Sequence, residues 1–255
     1  MIGLQTALQL LLSSVPGARV TIVASHFPGD WSVSYTSPRA GAHWRSHSSD
    51  AFDQRADRET YESWLLLTAV ASAEETGLAR TPSYYYWEDA TDETVDGFRG
   101  LHWKHYVEGF RVLEKHELPH GAVCGVKYTT FAINPVRYML YLLERCTALG
   151  AVTVRREVDS LEQCFAEDMD VVVNCTGMGA RTLAGDENVY PIKGQTVLVR
   201  GECRAVKFRK TKSGWQDAVL RRPGEGTILG VSKDKGDWYA WHDEVRGLSA
   251  RADGK

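Results

Sequence analysis

Two stretches of this chain share one pattern, an amphipathic helix that stops at a glycine and feeds a β-branched run. That pattern commits much of the chain to an α/β architecture built on a parallel sheet. In the first stretch Leu4, Ala7, Leu8, Leu11 and Leu12 recur at helical spacing, Pro16-Gly17 ends the helix, and Val20-Thr21-Ile22-Val23 follows as a strand. A helix leading into a buried strand is half of a βαβ unit. The other half is a strand before Gly3 ending in a glycine-rich turn, and only Met1 and Ile2 stand there. In the second stretch Asn134 caps a helix whose first position is Pro135, Val136, Met139, Leu140 and Leu143 share a face, and Gly150 is the C-terminal stop. A strand over residues 152–154 follows, then a helix around 161–165, then Val171-Val172-Val173, an apolar run suited to a strand buried on both faces.

Between these stretches the pattern changes. One amphipathic helix carrying Tyr61, Trp64, Leu65 and Thr68 runs up to Gly77, and aromatic-rich segments without a parallel repeat come next. Pro223-Gly224-Glu225-Gly226 separates Ala218-Val219-Leu220 from Thr227-Ile228-Leu229, the signature of a hairpin. A second, mixed α+β subdomain therefore interleaves with the Rossmann-like parallel sheet. Residues 1–55 and 132–190 belong to the sheet, 56–131 and 191–255 to the mixed unit.

Composition narrows the function. With 43% apolar residues in 255, the chain can bury a core as one large domain or two interleaved ones. The 30 basic and 33 acidic residues leave a net charge of −3, so no broad basic field is available for nucleic acid or an anionic membrane. No window approaches the roughly 18 apolar residues of a membrane span, and the apolar residues 8–12 lack the flanks of a secretory signal. Five cysteines, an odd number without a C-x-x-C, read as free thiols in a reducing compartment. His102, His105, His116 and His120 lack partners at metal-site spacing, so no metal is expected. Small-molecule chemistry is the class that remains.

Ile2-Gly3-Leu4-Gln5-Thr6-Ala7-Leu8 resembles the end of a G-x-G-x-x-G dinucleotide fingerprint with Gly3 as its third glycine, and reads equally as a packing glycine. In Val173-Asn174-Cys175-Thr176-Gly177-Met178-Gly179-Ala180 a strand ends in Thr-Gly, which either admits a flat or anionic ligand against bare backbone or makes a tight exit turn. Three further motifs stand in fixed order: Val20-Thr21-Ile22-Val23-Ala24-Ser25-His26-Phe27-Pro28-Gly29-Asp30, Tyr35-Thr36-Ser37-Pro38-Arg39-Ala40-Gly41-Ala42-His43-Trp44, and Tyr128-Thr129-Thr130-Phe131-Ala132-Ile133-Asn134-Pro135. With Arg156-Glu157-Val158-Asp159-Ser160-Leu161, Tyr190-Pro191-Ile192-Lys193-Gly194-Gln195 and Gly236-Asp237-Trp238, nearly the whole chain resembles the D-amino-acid oxidase family of the fungal type.

That resemblance implies an FAD-binding domain over 1–55 and 132–190 and a substrate domain over 56–131 and 191–255. The reaction it implies is hydride transfer from the Cα of a D-amino acid to flavin N5, hydrolysis to a 2-oxo acid and ammonia, and reoxidation by oxygen to hydrogen peroxide. It places Gly3 near the FAD pyrophosphate, Ala40, Gly41, Ala42 and His43 along the cofactor, Val158 on the adenosine side, and Thr176 and Gly177 at the closure of the pocket. A peroxisomal or cytoplasmic location is implied, although Asp253-Gly254-Lys255 is not a Ser-Lys-Leu address. A pyridine-nucleotide dehydrogenase is disfavoured by the lack of a complete fingerprint.

The pattern also departs from the family. An acid commonly holds the adenosine ribose at the end of the second strand, whereas Ala24-Ser25-His26 stands here. Ser25 is the candidate, or else a surface serine. The family's substrate-side tyrosine falls at Ala218, and its carboxylate-binding arginine and late glycine-rich flavin segment fall beyond Lys255. Arg221 and Arg222 are carboxylate forks or solvated hairpin charges, the latter expected. Tyr84-Tyr85-Tyr86-Trp87 is a gating loop or a buried edge or subdomain contact, the latter expected. Glu114, Lys115 and Glu117 read as a solvated face, and no catalytic residue is assigned. The chain is thus expected to be incomplete at both ends, with an inactive member retaining part of the cofactor pocket as the alternative.

Overall fold

Helix and strand alternate where the pattern requires it, and the computed structural model describes residues 1–13, 15–32, 34–48, 50–165, 169–213, 216–230 and 234–238. In chain order the elements are α1 (Ile2–Leu12), β1 (Thr21–Ala24), β2 (Ala42–His43), α2 (Ala51–Val70), α3 (Ala73–Thr76), β3 (Leu78–Trp87), α4 (Val95–Phe98), β4 (Arg111–Val112), β5 (Cys124–Ile133), α5 (Pro135–Ala148), β6 (Val152–Arg155), α6 (Ala180–Leu183), β7 (Ile192–Lys193), β8 (Val197–Val199), β9 (Val206–Lys210), β10 (Gln216–Arg222), β11 (Gly226–Leu229) and β12 (Asp234–Lys235).

The two helix–strand units meet as a βαβ architecture demands. β1 pairs in parallel with β6, Thr21 opposite Val152 and Ala24 opposite Arg155. Beside them Leu4, Ala7 and Leu8 of α1 pack on Tyr138, Met139, Leu142 and Cys146 of α5 in one apolar cluster. α5 starts as its sequence dictates, with Pro135 in its first turn and Asn134 Oδ1 accepting the Arg137 N–H at 3.3 Å. Gly150 follows it at φ 92, a conformation that Cβ-bearing residues avoid.

The larger sheet has eight strands in the order β2-β5-β3-β9-β10-β11-β8, with β4 beside β5. β3 and β5 pair antiparallel along ten residues, while β9 joins β3 in parallel. The expected hairpin is present, Leu220 facing Ile228 and Arg222 facing Gly226. Tyr85 and Trp87 point into an aromatic core with Tyr61, Trp103, Tyr128 and Phe131. Tyr84 and Tyr86 alternate onto the other face. The aromatic run therefore belongs to an interior strand, not to an edge.

Four further expectations change. The helix up to Gly77 is two helices, because Ala71 is extended and Ser72 starts α3 by accepting the Glu75 N–H at 3.2 Å. The helix near 161–165 is a four-residue 3-10 turn, Leu161–Cys164, stopped by extended Phe165. Val171-Val172-Val173 is not a strand: Val171 is 72% and Val173 52% exposed, and no described strand lies alongside to complete a ladder. Glu114 and Lys115 are exposed as expected, but Glu117 accepts both guanidinium nitrogens of Arg111 at 2.6 Å, which lowers its carboxyl to about 2. All five cysteines are unpaired.

Asn134 does more than cap α5, since its Nδ2 also donates to Pro223 O at 2.9 Å and to Glu225 Oε1 at 3.1 Å. Asn134→Ala removes the cap and leaves a buried carbonyl without this donor. A loss of about 2 kcal/mol or more is expected in denaturant unfolding, against about 1 kcal/mol for an isolated cap.

Candidate cofactor site

A cavity of about 2390 Å3 is bounded by the first turn of α1, the C-terminal ends of β1 and β6, the 171–176 segment and the loop before β2. Ligand clefts lie outside the carboxyl ends of the strands in open α/β sheets. Its volume exceeds the roughly 300–1,000 Å3 of pockets for drug-sized ligands. Of the residues expected from sequence, Gly3, Ser25, Ala40, Gly41, Val158 and Thr176 line it, while Ala42, His43 and Gly177 do not.

Gly3 sits in the first turn of α1, where the leading N–H groups have no partner within the helix and favour an anion. A Cβ on Gly3 would meet Cys175 Cβ at 3.3 Å, so the same glycine also permits close approach of helix and chain. Thr176 donates from its hydroxyl to Asn174 Oδ1 at 2.7 Å and leads into the 3-10 turn Gly177–Gly179, with Gly177 at φ 57. Gly41 is a steric requirement, since a Cβ there would lie 2.8 Å from Ile228 Cγ2.

At the end of β1 the site differs from the acid-at-strand-end pattern. Ser25 is exposed, and its carbonyl accepts from Arg155 Nη1 at 3.1 Å. Beside it His26 Nε2 lies 3.1 Å from Ser34 Oγ, and Ser34 Oγ lies 2.8 Å from Ser32 Oγ, all three residues lining the cavity. The nearby acid, Asp30, is already engaged: it accepts from Arg155 at 2.5 Å and from the Phe27 N–H at 2.9 Å, and both lower its carboxyl pKa. Sequence reasoning missed this hydroxyl and imidazole cluster, for which Ser32 and Ser34, two residues apart, were the available signal.

Arg19, Arg39, Arg155, Arg156 and Lys193 line the cavity against Glu157, Asp159 and Asp237. Lys193 is paired with Asp237, so the wall as a whole favours an anion. Strand ends, a helix start, a wall of Ala40 and Gly41, hydroxyl groups and arginines form a donor set that fits a large anionic dinucleotide such as FAD. Among the described residues no group of His, Cys, Asp or Glu side chains is placed to hold a metal ion.

His43 lies behind this wall. Its ring stacks on Phe208 with centroids 4.6 Å apart, and its Nε2 is sealed from solvent without a hydrogen-bond partner among the described residues. Burial first, and then the charges of Arg45 and His47, lower its pKa to about 3. Arg222, expected as a solvated charge, is instead only 4% exposed and reaches the same loop. Its burial is offset by carbonyl partners at the two terminal nitrogens and by the Glu225 carboxylate beside Nε.

Residues 1–252 match the family model described as FAD dependent oxidoreductase. A D-aspartate oxidase of Talaromyces thermophilus is 34% identical over 263 residues, covering 92% of this chain and 69% of that protein. A D-amino-acid oxidase of Schizosaccharomyces pombe is 32% identical over 248 residues, covering 93% and 68%. Among solved structures, L-proline dehydrogenase from P. horikoshii aligns with a TM-score of 0.70 at 18% identity, and glycine oxidase from Geobacillus kaustophilus with 0.62 at 18%, each covering 93% of this chain and 69% of the other. At such identities the structures speak for the fold.

Two outcomes are expected. The unfolded chain protonates His43 near the ordinary 6.5 and the fold only near 3, so the unfolded state binds more protons in that window and stability falls as pH drops below about 6.5. His43→Gln should remove up to about 1.4 kcal/mol per pH unit of that acid sensitivity, read from urea unfolding at pH 7 and pH 5. Separately, Gly41→Ala should destabilise the fold by about 1–3 kcal/mol. Combining it with Ile228→Ala should cost less than the sum of the single substitutions in a double-mutant cycle.

Proposed function

The chain belongs to the FAD dependent oxidoreductase family and is an FAD-dependent enzyme of amino acid oxidation, and from that premise we propose that it deaminates D-amino acids. The overall reaction is D-amino acid plus oxygen and water giving a 2-oxo acid, ammonia and hydrogen peroxide. The observation that carries this reading is the 34% identity to a D-aspartate oxidase along 92% of the chain.

In this reading Gly3, Ser25, Ala40, Gly41, Val158 and Thr176 line the FAD site, and Ala42, His43 and Gly177 stand within two positions of lining residues in sequence without lining it themselves. FAD bound there supplies the two-electron acceptor for the substrate. The first turn of α1 and the lining arginines hold its negative charge. Ala40 and Gly41 let backbone approach it, and His43, neutral at physiological pH, backs that wall without adding charge. Residues 1–55 and 132–190 form the FAD-binding domain and 56–131 with 191–255 the substrate domain. At their seam β2 enters the large sheet, Ala42 opposite Ile133 and His43 opposite Ala132. Among the described residues no helix is long and apolar enough to cross a membrane, and we place the activity in the peroxisome or cytoplasm. The terminal residues 253–255 lie outside the described residues.

One observation favours a second reading, a member that binds FAD without turnover. Ala218 stands where the family resemblance expects a tyrosine, is 3% exposed, and faces Phe208, which stacks between His43 and Tyr85. Protein reconstituted with FAD and given D-aspartate, D-alanine or their L-enantiomers separates the readings. Turnover predicts peroxide from D-isomers and anaerobic bleaching of the flavin. Peroxide from both enantiomers alike defeats the D-specific reading, and bound flavin that no amino acid bleaches supports the second.

A further inference from the structure

We propose that Arg222 is a positioning residue for the cofactor, gripping the loop that forms one wall of the FAD cavity from behind. It touches neither substrate nor cofactor in this role. The proposal rests on the placement of FAD against Ala40 and Gly41.

Arg222 closes β10, is 4% exposed, and faces the same side of the strand as Ala218 and Leu220, the last of which lines the cavity. Both terminal nitrogens of its guanidinium are committed, while Nε is ion-paired but makes no hydrogen bond among the described residues. Nη2 donates to Pro38 O at 3.0 Å, Nη1 donates to Ala40 O at 3.3 Å, and Nε stands 2.7 Å from Glu225 Oε2. Glu225 is itself held through Oε1 by Asn134 Nδ2 at 3.1 Å. This arrangement rules Arg222 out as a free fork for a substrate carboxylate. It also explains why a charge on a hairpin is buried, since carboxylate and carbonyl partners replace water around it.

The consequence for the site comes from peptide geometry. In a trans peptide the carbonyl and the next N–H point to opposite sides, and no cis bond occurs among the described residues. Arg222 holds the Ala40 carbonyl toward itself and so fixes the Gly41 N–H on the side away from the guanidinium. Ala40 and Gly41 both line the cavity. A lysine cannot reproduce the grip, because a single ammonium lacks the planar fork that spans two carbonyls and a carboxylate. The hairpin of the large sheet thereby sets the orientation of a donor in the cofactor wall, through a contact spanning 182 positions of sequence.

The test titrates apoprotein of the full chain with FAD by flavin fluorescence and follows apoprotein thermal unfolding in parallel, for Arg222→Lys, Arg222→Ala and Arg221→Met. Arg221 is the control, a half-buried neighbour paired with Glu202 at 2.7 Å. Expected are an FAD Kd raised about tenfold in Arg222→Lys and about a hundredfold in Arg222→Ala, with Arg221→Met unchanged. Guanidinium at millimolar concentration should restore affinity to Arg222→Ala, while methylammonium should not. A lowered melting temperature with unchanged Kd in folded protein, or no difference between guanidinium and methylammonium, overturns the proposal. Ala40→Glu, a charge placed on the exposed cavity wall, tests the underlying placement by itself. If that variant binds FAD as the parent does, the site reading fails whatever Arg222 does.

Discussion

The seam between the two sheets is held by a polar node in which buried Arg222 and Asn134 meet the more exposed Glu225. From Arg222 the bonds run to the carbonyls of Pro38 and Ala40, and from Asn134 to the Pro223 carbonyl and the Arg137 amide. Three segments distant in sequence, the loop before β2, the start of α5 and the turn of the last hairpin, are satisfied by one another. Buried charge is costly unless it is paired, and Arg222 is paired with Glu225. Loss of one member leaves several others stranded, which couples the cofactor wall to the helix that supports the parallel sheet.

Around this node apolar and aromatic side chains dominate, and a second charge is held by similar logic. Arg45 has a side chain only 2% exposed, pairs with Glu93 at 2.9 Å and stacks over the Tyr85 ring at 4.3 Å. Its charge is one cause of the neutrality of His43. The large sheet is thus more than a platform. It sets the electrostatic background against which the cofactor wall stands, and both effects follow from side chains on strands or strand ends that the parallel sheet does not contain.

What could be read from the sequence was what depends on neighbours in sequence. Asn134, Pro135 and Gly150 specify α5 within 17 positions, and the turn at 223–226 specifies its hairpin, because capping and turn chemistry are local. The cofactor residues came from family likeness, and six of nine line one cavity. Arg222 was misread because a hairpin arginine looks solvated until its partners, nearly two hundred positions away, are known. Val171-Val172-Val173 was misread because β-propensity expresses itself only beside another strand. The cluster of His26, Ser32 and Ser34 was missed because the two-residue spacing of the serines says nothing of the imidazole eight positions from Ser34.

The pairing of β1 with β6 has a consequence for the order in which the protein can be made. Thr21 has its ladder partner in Val152 and Leu4 accepts from Cys146, so β1 has its strand partner and α1 its helix partner only after the chain has grown by more than a hundred residues. At about 5–20 residues per second, β1 leaves the ribosome roughly 7–26 s before β6 exists. β3 and β5 meanwhile zip together along ten residue pairs. Loop closure weighs against the distant contacts until that sheet brings their ends near. The segment that holds α1 and β1 therefore completes its pairing only after the large sheet has brought its distant partners near.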